Sequence, residues 1–161
     1  RVVKDLNGFS PEEFMSRVAE SFHIVPIPDN QDESAKPKQR HHIGLYLEKQ
    51  WYRLEPKPGL VLENDVLQSL DVTILYTLIL QPILGIGDPR TDKRIDFVGG
   101  IRGIKELVRL VDQGQAKVAF AMVPTTIDEL MHVADDGLIM PPKSTWFEPK
   151  LRSGLIMHQM I

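Results

Sequence analysis

Nine consecutive residues, Val72 to Leu80 (VTILYTLIL), carry no charge and end two positions before Pro82. Such a run has almost no polar face to turn toward water, so the rest of the chain must surround it. Its β-branched residues permit a strand. Asp71 at the capping position and the length of the run instead favour a buried helix. With 161 residues and 42% hydrophobic content, the chain can form one domain, residues 1–161, with a core large enough to enclose that element.

The flanking segments carry their own starts and stops. Ser10-Pro11-Glu12-Glu13 predicts a helix to about Ser21: Ser10 caps, Pro11 suits the first helical position and Glu13 completes a capping box. A short strand follows over Phe22 to Val25. The stretch from Pro26 to Arg40, with three prolines and the polar run DNQDES, reads as an exposed loop. His42 to Leu47 and Trp51 to Leu54 flank Glu48-Lys49-Gln50 and predict an antiparallel hairpin.

Beyond Ile95 strands and helices alternate. The expected elements are a strand Ile95 to Val98, a helix from near Gly103 to Val111, and a strand Ala116 to Val123. A helix opened by the capping box Thr126-Ile127-Asp128-Glu129 should then stop near Asp136-Gly137, and Ser153 to Ile161 reads as a last strand. The pattern predicts an α+β fold, a mixed, mostly antiparallel sheet covered by helices.

Composition excludes some functions. Zero cysteines leave no disulfide framework, thiol nucleophile or thiolate metal site. A formal charge of −3 argues against a broad nucleic-acid or anionic-membrane surface, though it permits a local basic pocket. No apolar run approaches a membrane span, and RVVKDLNG lacks the apolar core of a signal peptide, so the chain reads as cytoplasmic. It begins at Arg1, directly before Val2-Val3, and reads as a piece of a longer protein.

Two basic clusters are candidates for binding. Met140 to Lys150, MPPKSTWFEPK, has neither a strand nor a helix period and reads as a shaped loop. Its Lys-Ser-Thr lacks the glycine a P-loop places before the lysine; Pro142 stands there. Lys143, Ser144, Thr145, Lys150 and Arg152 can still supply charge-assisted bonds to a small anion. The alternative is that the prolines fix a crossing loop and Trp146 and Phe147 plug the core or an interface.

The second cluster is GDPRTDKR, Gly87 to Arg94, followed by Gly99-Gly100-Ile101-Arg102-Gly103. A strand, a glycine break and a helix start can aim backbone donors at an anion, with Arg94 and Arg102 as bidentate partners. The glycines serve equally well as a tight turn, and the spacing is not that of a dinucleotide fingerprint. His23, His41, His42, His132 and His158 show no metal-ligand spacing, and no cofactor is indicated. Ser144 has no nucleophile elbow, and Asp135-Asp136 sits where a helix should end. The chain alone therefore presents no acid, base and nucleophile constellation and is expected to be inactive by itself.

The stretches DVTILYTLILQPILGIGDPRTDKRIDFVGGIRG and AFAMVPTTIDELMHVADDGLIMPPKSTWFEPKLRSGL resemble the C-terminal part of the family known as domain of unknown function 1015. The resemblance runs from about Asp71 to Leu155, extends to RVVKDLNG, and is most distinctive in MPPKSTWFEPK. It implies a longer protein whose upstream half carries a Gly-Asp-Gly-His-His-Arg segment. Arg40-His41-His42 lacks the leading Gly-Asp-Gly and is not that segment. The upstream half has been likened to ParB-like nucleotide-using proteins, a superfamily that also contains free-serine kinases, which implies phosphoryl chemistry on a small amino-acid-like substrate in the whole protein. Two roles are therefore expected for this chain. In one, Lys143, Ser144, Thr145, Lys150, Arg152, Arg94 and Arg102 give a basic wall for a small anionic ligand, in a site shared with the N-terminal half. In the other, the chain is a structural domain docking that half through Trp146 and Phe147.

Overall fold

A computed structural model describes residues 1–28, 35–100 and 103–145. Its elements in chain order are β1 (Val2–Val3), α1 (Pro11–Ser21), β2 (Phe22–Pro26), β3 (Ile43–Leu47) and β4 (Gln50–Pro56). They continue with α2 (Asp71–Leu75), β5 (Ile95–Asp96), α3 (Gly103–Asp112), β6 (Val118–Ala121) and α4 (Ile127–Asp135). The strands form one sheet in the order β2-β4-β3-β6-β1-β5, antiparallel at every described pairing.

Alternation along the strands builds two apolar layers. Ile43, Leu45 and Leu47 of β3, Val118 and Phe120 of β6, and Val3 of β1 face a core made with Phe14 and Val18 of α1 and Ile74, Leu75, Ile79 and Leu80. The intervening Tyr46, Ala119 and Val2 face the opposite side, where Ile104 and Leu107 of α3 cover them with Trp51 and Ala116. Helices on both faces leave β3 buried along its whole length. The rings of Tyr46 and Trp51, opposite each other in the β3–β4 ladder, lie 4.9 Å apart. The Tyr46 hydroxyl donates to Asp112 Oδ1 at 3.0 Å and ties the end of α3 to the sheet.

Both expected capping boxes form. Glu13 N donates to Ser10 Oγ at 3.2 Å and Ser10 N to Glu13 Oε2 at 2.8 Å; Thr126 and Glu129 repeat the exchange at the start of α4. The hairpin turns through Glu48 and Lys49, with φ of +47° and +64°, so Gln50 belongs to β4 and the connection is a two-residue turn. The apolar run is helical but not α-helical throughout. After α2 it widens into a π-helical turn over Tyr76–Leu80, with Gln81 N donating to Tyr76 O at 2.9 Å. Pro82 has no N–H to close on the Leu78 carbonyl, and the widened spacing carries the chain to that break.

Several expectations change. Leu70, not Asp71, holds the N-cap position of α2, and it makes no side-chain bond there. The Asp71 carboxylate instead accepts from His41 N at 2.8 Å. The strands at Ile95 and Ala116 are shorter than expected, with ladders limited to Ile95–Asp96 and Val118–Ala121. The β3–β6 ladder ends at Gly44, where Ala121 pairs; β3 itself begins at Ile43, just after His41 turns away with φ of +68°. The Pro26 to Arg40 loop is pinned at both ends: Ile27 and Ala35 are buried, and Ile27 N donates to Trp51 O at 2.9 Å. A Cβ on Gly44 would lie 2.6 Å from the Ala35 carbonyl oxygen, so glycine is what lets that loop cross β3. The strand expected over Ser153 to Ile161 lies outside the described residues.

Candidate functional site

The segment Asp88 to Phe97 is built from a doubled local device. Asp88 Oδ1 accepts from Arg90 N at 2.9 Å, and both its carboxylate oxygens take the Arg90 guanidinium, at 2.7 and 3.0 Å. Asp92 repeats this with Arg94, accepting the backbone N–H at 2.8 Å and the guanidinium at 3.1 and 3.3 Å. An aspartate bonding the backbone two residues on is an Asx turn, and in each case the arginine closes over it. Arg90 and Arg94 hold the carboxyls of Asp88 and Asp92 below the usual carboxylate range, through the side-chain bonds first.

Arg94 goes further. Its guanidinium also donates to Leu84 O at 3.1 Å and Gly85 O at 2.7 Å, and lies 3.5 Å from Asp5 Oδ1. These partners occupy the donors that the sequence offered to a ligand, so Arg94 braces the segment against the end of the π-helical turn. Lys4 holds the other side, donating to Lys93 O at 2.7 Å and lying 3.4 Å from Asp96 Oδ2.

Lys143 arrives from the opposite direction. Val133 seats α4 on Leu70 and Val72, Met140 packs on the same cluster, and the chain then turns through Pro141 and Pro142. Ser144 Oγ donates to Pro141 O at 2.6 Å, and Thr125 Oγ1 donates to Ser144 O at 2.9 Å. These bonds hold Lys143 in the left-handed region at φ of +56°, which costs a non-glycine residue about 1–3 kcal/mol. The Ser144 hydroxyl is thus used inside its own loop.

The two segments meet in an open cleft of about 430 Å³ lined by Lys4, Arg90, Lys93 and Lys143, with Asp92 and Asp96 as its carboxylates. Ile95, Phe97 and Pro89 give it an apolar portion. Lys4 and Arg90 have carboxylate partners, whereas Lys93 and Lys143 have no side-chain hydrogen bond or ion pair among the described residues. The structure therefore brings Lys143 to the GDPRTDKR segment through Arg90 and Lys93, not through Arg94.

Thr145 is exposed beside Ser144. Arg102, Trp146, Phe147, Lys150 and Arg152 lie outside the described residues. The sequence reading places Arg90 and Lys93 in the second basic cluster but gives the ligand to Arg94 and Arg102, and it does not include Lys4. The signal was present in Asp-Pro-Arg and Asp-Lys-Arg, where each aspartate is spaced to occupy the arginine two positions on, and in the second unit Lys93 between them is left free. Among the described residues no group of three or more His, Asp or Glu side chains is placed to hold a metal ion. No helix is long and apolar enough to cross a membrane, again among the described residues.

Comparison with known families finds a match over residues 1–73 to the model described as Protein of unknown function (DUF1015). The match covers RVVKDLNG and the strands β1 to β4, and reaches the stretch read as family-like from Asp71 onward only at its first residues. No curated protein and no solved structure matches the chain.

Proposed function

Taking the chain as a member of the DUF1015 family, we propose that it contributes an anion-binding wall whose ligand carries a phosphate group. The observation that carries this reading is the convergence of Lys143 and Lys93, from segments fifty residues apart in sequence, on one cleft. Neither lysine is neutralised among the described residues, and an ammonium is a compact point charge suited to phosphate. The fixed pairs Arg90–Asp88 and Arg94–Asp92 give that cleft a preset shape. The ligand site is shared with the N-terminal half of the longer protein, which supplies whatever reacting groups act on the ligand.

The test is calorimetric titration with inorganic phosphate and phosphoserine. Replacing Lys93 and Lys143 together by Ala should weaken binding by roughly tenfold or more, while each exposed lysine changes stability by no more than about 0.5 kcal/mol. Unchanged affinity in the double variant sinks the reading.

A second reading, an interaction domain docking the N-terminal half, rests on a different observation. Ile127 is 76% exposed and Ile139 87%, with Met131 and Leu138 also exposed nearby in sequence, an apolar surface of the kind that marks contact sites. That reading expects Ile127→Lys with Ile139→Lys to abolish binding of the N-terminal half in sedimentation measurements and to leave phosphate affinity unchanged.

A further inference from the structure

The cleft lined by Lys93 and Lys143 has a volume of about 430 Å³, within the roughly 300–1,000 Å³ of pockets that take whole small molecules. An inorganic phosphate fills only a small part of that space. The charges along the cleft are unevenly paired. Both lining carboxylates are held by cations, Asp92 by Arg94 at 3.1 Å and Asp96 by Lys4 at 3.4 Å, and Arg90 is held by Asp88 at 2.7 Å. Lys93 and Lys143 remain, two exposed ammoniums without a side-chain hydrogen bond or ion pair among the described residues. Two point charges match a phosphate monoester, which carries about −1.5 to −2 at neutral pH, better than a diester with its single charge.

The remaining lining is apolar and fixed. Ile95 is buried in the first core layer, and the half-buried Phe97 packs against the same layer. The Phe97 ring also carries the Arg1 guanidinium, with Cζ 5.0 Å from the centroid, a contact that holds the ring in place. Pro89 stands between Asp88 and Arg90, whose backbone and side-chain bonds close the turn around it, and its own ring fixes φ. Phe97 and Pro89 therefore keep apolar surface in the cleft beside the lysines. A ligand that covers such surface gains affinity in proportion to the area removed from water.

We propose that the cleft takes an organic phosphate monoester with an apolar carbon body, its dianionic phosphate at Lys93 and Lys143 and its body on Phe97 and Pro89. The inference rests on the anion-binding reading and adds to it the class of ligand. Lysines alone discriminate little among phosphates, whereas an apolar wall beside them selects by what the phosphate is attached to.

The experiment titrates inorganic phosphate, phenyl phosphate, glycerol phosphate and methyl phenyl phosphate into the full chain by calorimetry. It repeats the first two with Phe97→Leu and with the Lys93→Ala, Lys143→Ala double variant. Phenyl phosphate should bind roughly tenfold or more tightly than inorganic phosphate, and also than glycerol phosphate, which has the same charge on a polar body. Methyl phenyl phosphate keeps the ring with a single charge and should bind roughly tenfold more weakly than phenyl phosphate. Phe97→Leu keeps an apolar side chain on the core; it should cut the preference for phenyl phosphate roughly threefold and bind inorganic phosphate as the parent does. The double variant should lose both ligands. Equal affinity of the parent for phenyl phosphate, glycerol phosphate and inorganic phosphate overturns the apolar body and leaves the anion-binding reading standing. That comparison needs no variant, so it decides the matter even where Phe97→Leu does not fold. An undiminished preference in folded Phe97→Leu overturns the contact with Phe97, and a diester bound as tightly as the monoester overturns the match of two lysines to a dianion. Absence of binding of all four phosphates by the parent overturns both the inference and the reading beneath it.

Discussion

The backbone N–H of His41 donates to Oδ1 of Asp71 across 2.8 Å, joining the turn before β3 to the first residue of α2. His41 is held at φ of +68°, and its ring lies between Ser69 O at 3.1 Å and Glu63 Oε1 at 3.6 Å. Arg40 reaches Glu129 at 3.0 Å, so the same turn also ties down α4. Burial raises the Asp71 pKa above the usual carboxylate range, with the nearby Glu129 acting in the same direction and His41 and Arg40 against it. A carboxyl whose folded pKa is raised contributes stability that is fully present below its unfolded value, near 3.9, and is lost as pH rises through the folded value. Asp71→Asn keeps an acceptor for His41 without a buried charge. It should therefore melt at or above the parent temperature at pH 7 and flatten the dependence of melting temperature on pH above about 4. Asp71→Leu strands the His41 N–H and should cost about 1–3 kcal/mol. An Asn variant markedly less stable than the parent at pH 7 would mean that attraction to Arg40 and His41 outweighs desolvation.

The β3–β4 turn offers a gain in stability. Glu48 and Lys49 both hold positive φ, a conformation that asparagine and glycine adopt at far lower cost. Glu48→Asn combined with Lys49→Gly should raise the denaturant midpoint, by about 1 kcal/mol of stability, with an unchanged slope. A lower midpoint would show that the two charged side chains contribute more than the turn strain costs.

What the sequence made legible follows from how local each signal is. The capping boxes at Ser10 and Thr126 are complete within four residues, and both form as read. The hairpin was legible for the same reason, and the α+β class followed from strand and helix periods. Asp71 was misread because a capping aspartate and a buried acceptor look alike in sequence; only the arrival of His41, thirty residues away, separates them. At the candidate site, Lys143 of MPPKSTWFEPK was legible as a candidate ligand-directed charge. Its partner segment was legible as basic, but not which cation stays free, since that depends on Asp92 and the Leu84 and Gly85 carbonyls capturing Arg94.

Gly44 carries a steric prediction. A methyl there would sit 2.6 Å from a backbone carbonyl, which cannot swing aside as a side-chain tip can, and 3.3 Å from the Ala121 Cβ. Gly44→Ala should destabilise the chain by about 1–3 kcal/mol by pushing Ala35 off the sheet. Hydrogen exchange at the Ile27 amide, which donates to Trp51 O, should accelerate with it. Parent-like stability would mean that the Ala35 crossing is held loosely.

Arg94 and Lys143 separate structural from ligand-directed charge on the two sides of one cleft. Arg94 is bonded to Asp92, Leu84 O and Gly85 O, with Asp5 close by, and a third of its side chain remains in water. After discounting for that exposure, Arg94→Ala should cost about 1–2 kcal/mol, chiefly from the two carbonyls and the Asp92 carboxylate losing a shared donor. Lys143 has no partner to lose among the described residues, and it occupies a strained backbone conformation. Lys143→Gly should therefore leave stability unchanged or raise it by up to about 1 kcal/mol, since glycine tolerates that φ, while removing the charge from the cleft. The two variants should move in opposite directions in a melt. Arg94→Ala should melt lower and, at temperatures where it is folded, lose phosphate affinity only as far as its segment shifts; Lys143→Gly should melt no lower and bind phosphate more weakly. A Lys143→Gly variant that unfolds more easily and binds as the parent does would assign Lys143 to the fold, and leave Lys93 as the only unpaired lysine lining the cleft among the described residues.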